Sequence, residues 1–321
     1  MKWARGSDKR DRSGVVGWLS AGRCVRSLIV SSLATLVMVL VLIAWASAGR
    51  HAVKRLDADF LGGVIVDTYS YWRTGEDWSN TPILPAGLDY TWANADASGA
   101  IRVAHALGGW GRPHEQDTMS ALRRSLAAGM TIVEVDLSLA EDGILYCFHG
   151  PGEPTAELLH APDRCDLAAI LMEMRETQFT LVVDLKSDFD ASVEIVRRQV
   201  RAAGLSHRIV FQLYQPSDIA RFAAMADDRF AGPIVTVYRS FRGGRHLRPH
   251  LERIGARVIT VPVERMFEFG VSSLPLSVLL THPIQSCAEM LKVRRAGYAG
   301  GYTSYDEDCQ RRHALESSGG R

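Results

Sequence analysis

Six side chains of this 321-residue sequence have the types and spacing for chemistry: His105, Glu134 and Asp136, His149, and Asp184 with Lys186. They lie in or at the ends of short apolar runs: Val103-Ala-His105, Ile132-Val-Glu134-Val-Asp136-Leu, Leu145-Tyr-Cys-Phe-His149 and Leu181-Val-Val-Asp184-Leu-Lys186. Side chains alternate across a strand, so Glu134 and Asp136 share one face while Val133, Val135 and Leu137 take the other. Asp184 and Lys186 share a face in the same way. Carboxylates on a poorly solvated face repel each other unless a cation or bound protons compensate. Three of them on two strands suit a hard divalent ion that seeks oxygen, and both Ca2+ and Mg2+ meet that description. Such an ion would polarise a phosphoryl oxygen, Lys186 would add a second positive charge, and His105 and His149 would supply acid and base around a scissile P–O bond. The plainer alternative for Asp184 and Lys186 is a structural ion pair at a strand end.

The elements that must position these groups follow from the pattern after residue 100. Runs rich in apolar and β-branched residues fall at 101–106, 131–137 with 144–149, 179–186, 208–214, 233–239, 257–264, 276–282 and 300–304. Helix-like stretches at 118–128, 167–176, 192–203, 217–226 and 286–296 separate many of them, with Gly129, Gly204, Pro216, Gly255 and Gly297 at the joints. Eight strand signals alternating with helices predict an α/β fold of the (β/α)8 TIM-barrel kind, whose chemistry sits at the carboxyl ends of the strands. A doubly wound open sheet is the alternative, but no Gly-x-Gly-x-x-Gly opens the first helix.

Upstream, residues 27–49 run without a charge, long enough to cross a bilayer core. Residues 1–26 carry seven Lys or Arg against two Asp, so the positive-inside rule keeps this basic tail in the cytoplasm and sends the remainder out. The expected order is therefore a cytoplasmic tail (1–26), a transmembrane signal anchor (27–49), a juxtamembrane linker or cap (50–100) with a short helix around 52–70, the barrel domain (101–310) and a flexible tail (311–321). Ala46-Ser-Ala48 offers a competing reading as a signal-peptide cleavage site, in which case the domain is secreted. Without the tail the chain holds 30 basic and 34 acidic residues, which argues against a nucleic-acid partner. The linker tryptophans Trp72, Trp78 and Trp92 are expected to pack on the barrel or to touch the bilayer surface. Cys147, Cys165, Cys287 and Cys309 in the exported part permit two disulfides, the local pairings being Cys147 with Cys165 and Cys287 with Cys309; buried free thiols are the alternative.

The ordered set of motifs resembles the glycerophosphodiester phosphodiesterase family and the wider phospholipase-C-like phosphodiesterase barrels, over about residues 101–305. That family's His-Arg-Gly strand end looks like His105-Ala106-Leu-Gly108. Its Glu-Asn-Thr helix start looks like Gln116-Asp117-Thr118, its Glu-x-Asp strand like Glu134-Val-Asp136, its Asp-Gly followed by a second His like Asp142-Gly143 and His149, and its Glu-x-Lys strand like Asp184-Leu-Lys186. The resemblance implies His105 and His149 as the acid/base pair, Glu134, Asp136 and Asp184 as ligands of Ca2+ or Mg2+, and Lys186 as a phosphate contact. It implies a glycerophosphodiester or lipid head-group phosphodiester as the small-molecule partner, with the membrane engaged through the N-terminal helix.

The departures are specific. Ala106 replaces the usual arginine and so removes a bidentate phosphate clamp. Gln116 replaces an acid, Asp184 is one methylene shorter than the usual glutamate, and Gly150 replaces an aspartate. Arg112 and His114 are candidates to restore the missing charge, and His282, Glu264 and Tyr238 are further polar residues near the expected rim. Two other functions follow from the same features: a phospholipase C or D acting on intact lipid, and a degenerate barrel that binds a phosphorylated ligand without turnover.

Overall fold

A computed structural model of the chain describes residues 78–95, 99–109, 115–149, 163, 165–238, 240, 244–269 and 277–304. The segments 1–26, 27–49 and 311–321 and the helix expected around 52–70 lie outside the described residues. Among the described residues, no helix is long and apolar enough to cross a membrane.

Nine strands form one sheet: β1 (Ile101–Ala104), β2 (Ile132–Leu139), β3 (Leu145–Cys147), β4 (Thr180–Leu185), β5 (Ile209–Leu213), β6 (Ile234–Thr236), β7 (Val258–Pro262), β8 (Val278–Ile284) and β9 (Gly300–Thr303). Their order is β1-β9-β8-β7-β6-β5-β4-β2-β3, and the parallel pairing of Ala104 on β1 with Val133 on β2 closes the ring. Eight parallel strands thus make the expected barrel. The run expected at 144–149 contributes β3, which lies outside the ring as the antiparallel partner of β2, with Leu137 opposite Cys147.

Six α-helices are described: α1 (Met119–Ala127), α2 (Leu167–Glu176), α3 (Phe189–Ala203), α4 (Pro216–Ala223), α5 (Gly244–Ile254) and α6 (Cys287–Arg295). Their starts are chemically marked. Thr118, Asp166, Asp188 and Ser286 each accept a hydrogen bond from the main-chain N–H three residues on, which satisfies a donor with no partner inside the helix. Helix α4 begins with Pro216 in its first turn and a Gln215–Asp218 capping box. Helix α3 starts three residues earlier than its apolar periodicity suggests because Asp188, not a hydrophobic residue, sets its first turn.

Helix α5 is absent from the sequence expectations. Pro249 lies inside it, and proline removes a helical donor, so the stretch reads as a breaker. Leu247, Leu251 and Ile254, buried and spaced i, i+4, i+7, were the signal that it packs as a helix. Between β7 and β8 the described connection is a 3-10 turn (Val263–Glu268) in place of an α-helix.

Alternation along the strands divides the core in two. One face of each strand packs against the helices, as where Phe211 meets Phe222 and Phe230 edge-on at ring-centroid distances of 5.9 and 5.0 Å. The other face fills the barrel, where Ile132, Val182, Val210, Ile234, Val258 and Leu280 form an apolar floor. Tyr90, Trp92 and Ala93 from the linker join this inner cluster and stopper the amino-terminal end, with Trp92 Nε1 donating to the Gly232 carbonyl at 3.0 Å. Trp78 is fully buried, and Arg253 Nη2 holds its carbonyl at 2.6 Å. Both described linker tryptophans therefore pack on the barrel. A Cβ at Gly300 would lie 1.9 Å from the Ile101 carbonyl oxygen, and one at Gly301 2.2 Å from that of Thr281, so β9 fits between β1 and β8 only as a glycine pair.

Cys147 and Cys165 are joined in a disulfide that ties the end of β3 to the residue before the α2 cap. Cys287 is disulfide-bonded as well; Cys309, its expected partner, lies outside the described residues. The Cys147–Cys165 bond closes a loop of sequence separation 18, which should stabilise the fold by about 3 kcal/mol through the unfolded chain. Cys147→Ala/Cys165→Ala should therefore unfold at lower urea concentration, with an equal or slightly steeper denaturant slope because the uncrosslinked unfolded chain is more open. An unchanged midpoint would contradict this.

Candidate active site

Each barrel strand carries apolar residues inward near its amino end and polar ones near its carboxyl end. On β2 the inward series is Ile132, Glu134, Asp136, Ser138; on β4 it is Val182, Asp184; on β5 it is Val210, Gln212. The β2–β4 register sets Asp136 beside Asp184 as Cα partners, so two carboxylates face each other across one rung. Glu134, Asp136, Asp184 and His105 are all buried. One ligand oxygen from each of the three acids lies within 4.8 Å of the others.

Several contacts in the chamber hold these acids. Lys186, just past β4, places Nζ 2.8 Å from Asp136 Oδ1 and 2.6 Å from Asp184 Oδ2. The structural ion pair considered for Asp184 and Lys186 exists, but it is half of a bridge that also reaches Asp136. Asp184 Oδ2 also accepts from Gln212 Nε2 at 2.9 Å and from the Tyr214 hydroxyl, and Tyr302 reaches across the barrel to donate to Gln212 Oε1 at 2.6 Å. Glu134 Oε2 accepts from the Ala106 main-chain N–H at 2.8 Å and lies 4.0 Å from His105 Nε2.

These donors leave a gap. Asp136 Oδ2 and Asp184 Oδ1 are buried and, among the described residues, have no hydrogen-bond partner. A buried carboxylate oxygen without a donor is costly, and such exceptions call for a missing partner. Three carboxyl groups against one ammonium also carry an excess of negative charge that bound protons or a cation must offset. An all-oxygen donor set with that excess fits a hard divalent cation, so the residues present match the ion expected from the sequence.

The rim loop after β1 is bent to present these groups. Ala106 and Leu107 adopt left-handed backbone angles (φ 51° and 59°), a conformation costing about 1–2 kcal/mol each for residues with a Cβ. That bend aims the Ala106 N–H at Glu134, and the Leu107 carbonyl is held by Ser125 Oγ at 2.8 Å. Strain concentrated beside a buried ionic cluster is typical of a functional site. Ala106, where the resemblance has arginine, is itself buried and gives the site a main-chain donor instead. Arg112 and His114 lie outside the described residues.

His149 sits two residues beyond the disulfide-tied β3. The Phe148 N–H donates to the Asp136 carbonyl at 2.9 Å, which sets His149 at the rim beside Asp136. It is exposed, in contrast to His105. The sequence candidates therefore gather at one end of the barrel, five of them around the acid cluster and His149 at its open edge. Sequence reasoning missed Gln212, Tyr214, Tyr302 and Asp117. The first three continue the inward alternation of their strands, which was the available signal. Asp117 is a fourth buried carboxylate, and its Oδ1 accepts from the Asp136 main-chain N–H at 3.3 Å. Glu264 is exposed on the turn after β7 and stays outside the cluster.

Burial dominates the electrostatics. It raises Glu134 and Asp117 well above the usual carboxylate range, with further help from Asp136. Asp136 is raised for the same first reason, against the opposing pull of Lys186. Burial would lower the Lys186 ammonium, but Asp184, Asp136 and Glu134 outweigh it and push it up. His105 is held well below its ordinary value by burial and by His282, and burial pushes His282 down to about 3.

These shifts predict a pH signature of the metal-free protein. A carboxyl raised on folding keeps a proton that the unfolded chain releases, so its stabilising effect is complete below about pH 4 and is lost as pH climbs through the raised value. The depressed imidazoles act oppositely and cost stability only below about pH 6.5. Where pH climbs through the raised carboxyl values the melting temperature in EDTA should therefore fall, whereas saturating Ca2+ or Mg2+ should flatten the curve. Equal slopes with and without the ion would contradict this.

No protein-family model matches the sequence, and no curated protein matches it. The fold does match solved structures. A protein from Silicibacter pomeroyi DSS-3, assigned as a glycerophosphoryl diester phosphodiesterase, aligns over 70% of this chain and 96% of its own with TM-score 0.57 and 16% identity. A glycerophosphodiester phosphodiesterase from Parabacteroides distasonis aligns over 68% and 99% with TM-score 0.54 and 15% identity. An Oleispira antarctica phosphodiesterase, solved with the product sn-glycerol-3-phosphate, aligns over 67% and 96% with TM-score 0.50 and 19% identity. The chain thus has the barrel fold of glycerophosphodiester phosphodiesterases.

Proposed function

We propose that the chain is a divergent member of the glycerophosphodiester phosphodiesterase family, a phosphoric diester hydrolase that cleaves glycerophosphodiesters or related lipid head-group phosphodiesters with the help of Ca2+ or Mg2+. The observation that carries this reading is the pair of buried, donorless oxygens on Asp136 and Asp184, facing each other at the carboxyl mouth of a barrel of this fold. Glu134, Asp136 and Asp184 would hold the ion, which when bound supplies Lewis-acid polarisation of a phosphoryl oxygen and offsets the charge that develops there. Lys186 contributes a point charge for the phosphate. His105, inside, and His149, at the open edge, flank the scissile bond as acid and base.

The proposal extends to location. Residues 27–49 would anchor the enzyme with its N-terminus in the cytoplasm and the barrel outside, or be cleaved to release it. Disulfides at Cys147–Cys165 and at Cys287 support an oxidising compartment. A second reading, which follows from the anchor segment placing the barrel near a bilayer, has an intact lipid as the substrate, as in a phospholipase C or D.

The experiment is hydrolysis by the purified protein of a water-soluble glycerophosphodiester and of micellar phospholipid, with and without EDTA. Release of a phosphomonoester and an alcohol from the soluble diester, lost in EDTA and in Glu134→Ala, is the expected result. Cleavage confined to micelles selects the lipid reading. Phosphodiester binding without turnover under either ion would overturn both and leave a ligand-binding barrel.

A further inference from the structure

We infer that Tyr238 is a specificity-determining residue whose hydroxyl hydrogen-bonds a free hydroxyl on the alcohol side of the bound diester, so that the site takes esters of polyols in preference to esters of plain alkyl alcohols. That the ligand is a diester rests on the phosphodiesterase reading; the placement of the hydroxyl does not. Tyr238 reaches the chamber by strand alternation. Ile234 belongs to the apolar floor, Val235 and Val237 pack outward against the helical layer, and the Val237 N–H continues the pairing with β7 by donating to the Thr260 carbonyl at 3.0 Å. The Tyr238 ring lies 5.0 Å from that of His282 and 6.1 Å from that of Tyr214, which completes an arc of rings from Tyr214 to Tyr302. The main chain on both sides of it is clamped: Arg265 Nη1 donates to the Val237 carbonyl at 2.9 Å and to the Ser240 carbonyl at 2.8 Å, and Glu268 Oε2 holds the same guanidinium at 2.8 Å.

Of the three tyrosines in this arc, two have a partner for the hydroxyl. Tyr214 donates to Asp184 Oδ2, and Tyr302 donates to Gln212 Oε1 at 2.6 Å. The Tyr238 hydroxyl is buried and, among the described residues, has no hydrogen-bond partner. A buried hydroxyl without a partner is costly, and one carried on a clamped main chain cannot swing away to find water. It therefore calls for a partner that is not part of the chain.

The surroundings select the kind of oxygen that partner carries. The charged groups of the site, Glu134, Asp136, Asp184 and Lys186, come from β2 and the end of β4, so the ion and the phosphoryl oxygens belong on that side. The facing wall, from β6 to β9, presents Thr236, Tyr238, Thr260, His282 and Tyr302 and has no acid, lysine or arginine among its inward residues. A diester seated with its phosphoryl group at the acids carries an uncharged alcohol toward this wall. A phenol hydroxyl both donates and accepts, as an alcohol hydroxyl does, so each satisfies the other, while the neighbouring rings cover the carbon chain. A plain alkyl group would leave Tyr238 unpaired, which is how a buried polar group discriminates between ligands of the same shape.

The test compares diglycerol phosphate with dipropyl phosphate, which lacks the hydroxyls on both alcohols, using full-length wild type and Tyr238→Phe in saturating Mg2+, together with thermal melting of both proteins without diester. Wild type should prefer diglycerol phosphate in kcat/KM, and Tyr238→Phe should shrink that preference by about 10- to 100-fold. Because the hydroxyl has no partner in the free protein, Tyr238→Phe should melt no lower than wild type. An unchanged preference would overturn the inference, and so would a variant that melts lower, since the hydroxyl would then serve the fold. A wild type that hydrolyses neither diester defeats the phosphodiesterase reading instead, and binding isotherms of the two diesters then decide the role of Tyr238. Tighter binding of diglycerol phosphate that is lost in Tyr238→Phe supports it, whereas equal binding of the two, or binding of neither, overturns it.

Discussion

His105→Ala is expected to lower kcat for diester hydrolysis by about 100- to 10,000-fold, the range lost when a positioned acid or base is removed, while KM changes little. The effect should be this large because the chamber holds no second imidazole in the same place. His282 sits behind His105, 2.8 Å from its Nε2, and His149 lies at the exposed edge. Ion binding should survive, since the acids keep their positions through Lys186, Gln212 and Tyr214. A variant that kept wild-type kcat would remove His105 from the chemistry, and one that lost the ion would make its role structural. Steady-state kinetics together with an ion-binding isotherm separate these outcomes.

The second large effect concerns stability. Lys186→Met should destabilise the metal-free protein by about 3 kcal/mol, near the low end for breaking a buried ion pair because the lysine side chain keeps some exposure. Removing the ammonium leaves Asp136 and Asp184 side by side with no compensating charge, and methionine fills the space without supplying one. Saturating Ca2+ or Mg2+ should return a large part of the loss, because a ligand that binds only the folded state stabilises it by mass action. Urea unfolding in EDTA and in excess ion measures both quantities. A variant as stable as wild type in EDTA would mean that the acids hold protons in the resting protein and that Lys186 is dispensable to the fold.

How much of this was legible in the sequence depends on the range of each interaction. The barrel was legible because strand alternation and helix punctuation are local. The chemical face was legible for the same reason: Glu134 and Asp136, or Asp184 and Lys186, two residues apart on a strand, must share a side. Their convergence was an inference from barrel geometry; the β2–β4 register sets Asp136 beside Asp184. Helix α5 was hidden by Pro249, a local signal that the packing of Leu247, Leu251 and Ile254 overrides. The inward alternation of Gln212, Tyr214 and Tyr302 was legible on their strands, but their support of Asp184 joins strands far apart in the chain and was not. The donors that gather on Asp184 Oδ2 hold the side chain, while its buried Oδ1 has no hydrogen-bond partner among the described residues. His282 looked like one more rim histidine, but it follows Leu280 by two residues on the inner face of β8 and its ring meets His105 with the Nε2 atoms 2.8 Å apart.

The most direct test of the central claim, that three buried acids at the barrel mouth form a divalent-cation site, is calorimetric titration of Ca2+ or Mg2+ into EDTA-stripped protein beside Asp136→Asn and Asp184→Asn. One ion per wild-type chain, with uptake lost in both variants, is the predicted result. No uptake by wild type, or uptake unchanged in the two variants, would contradict it.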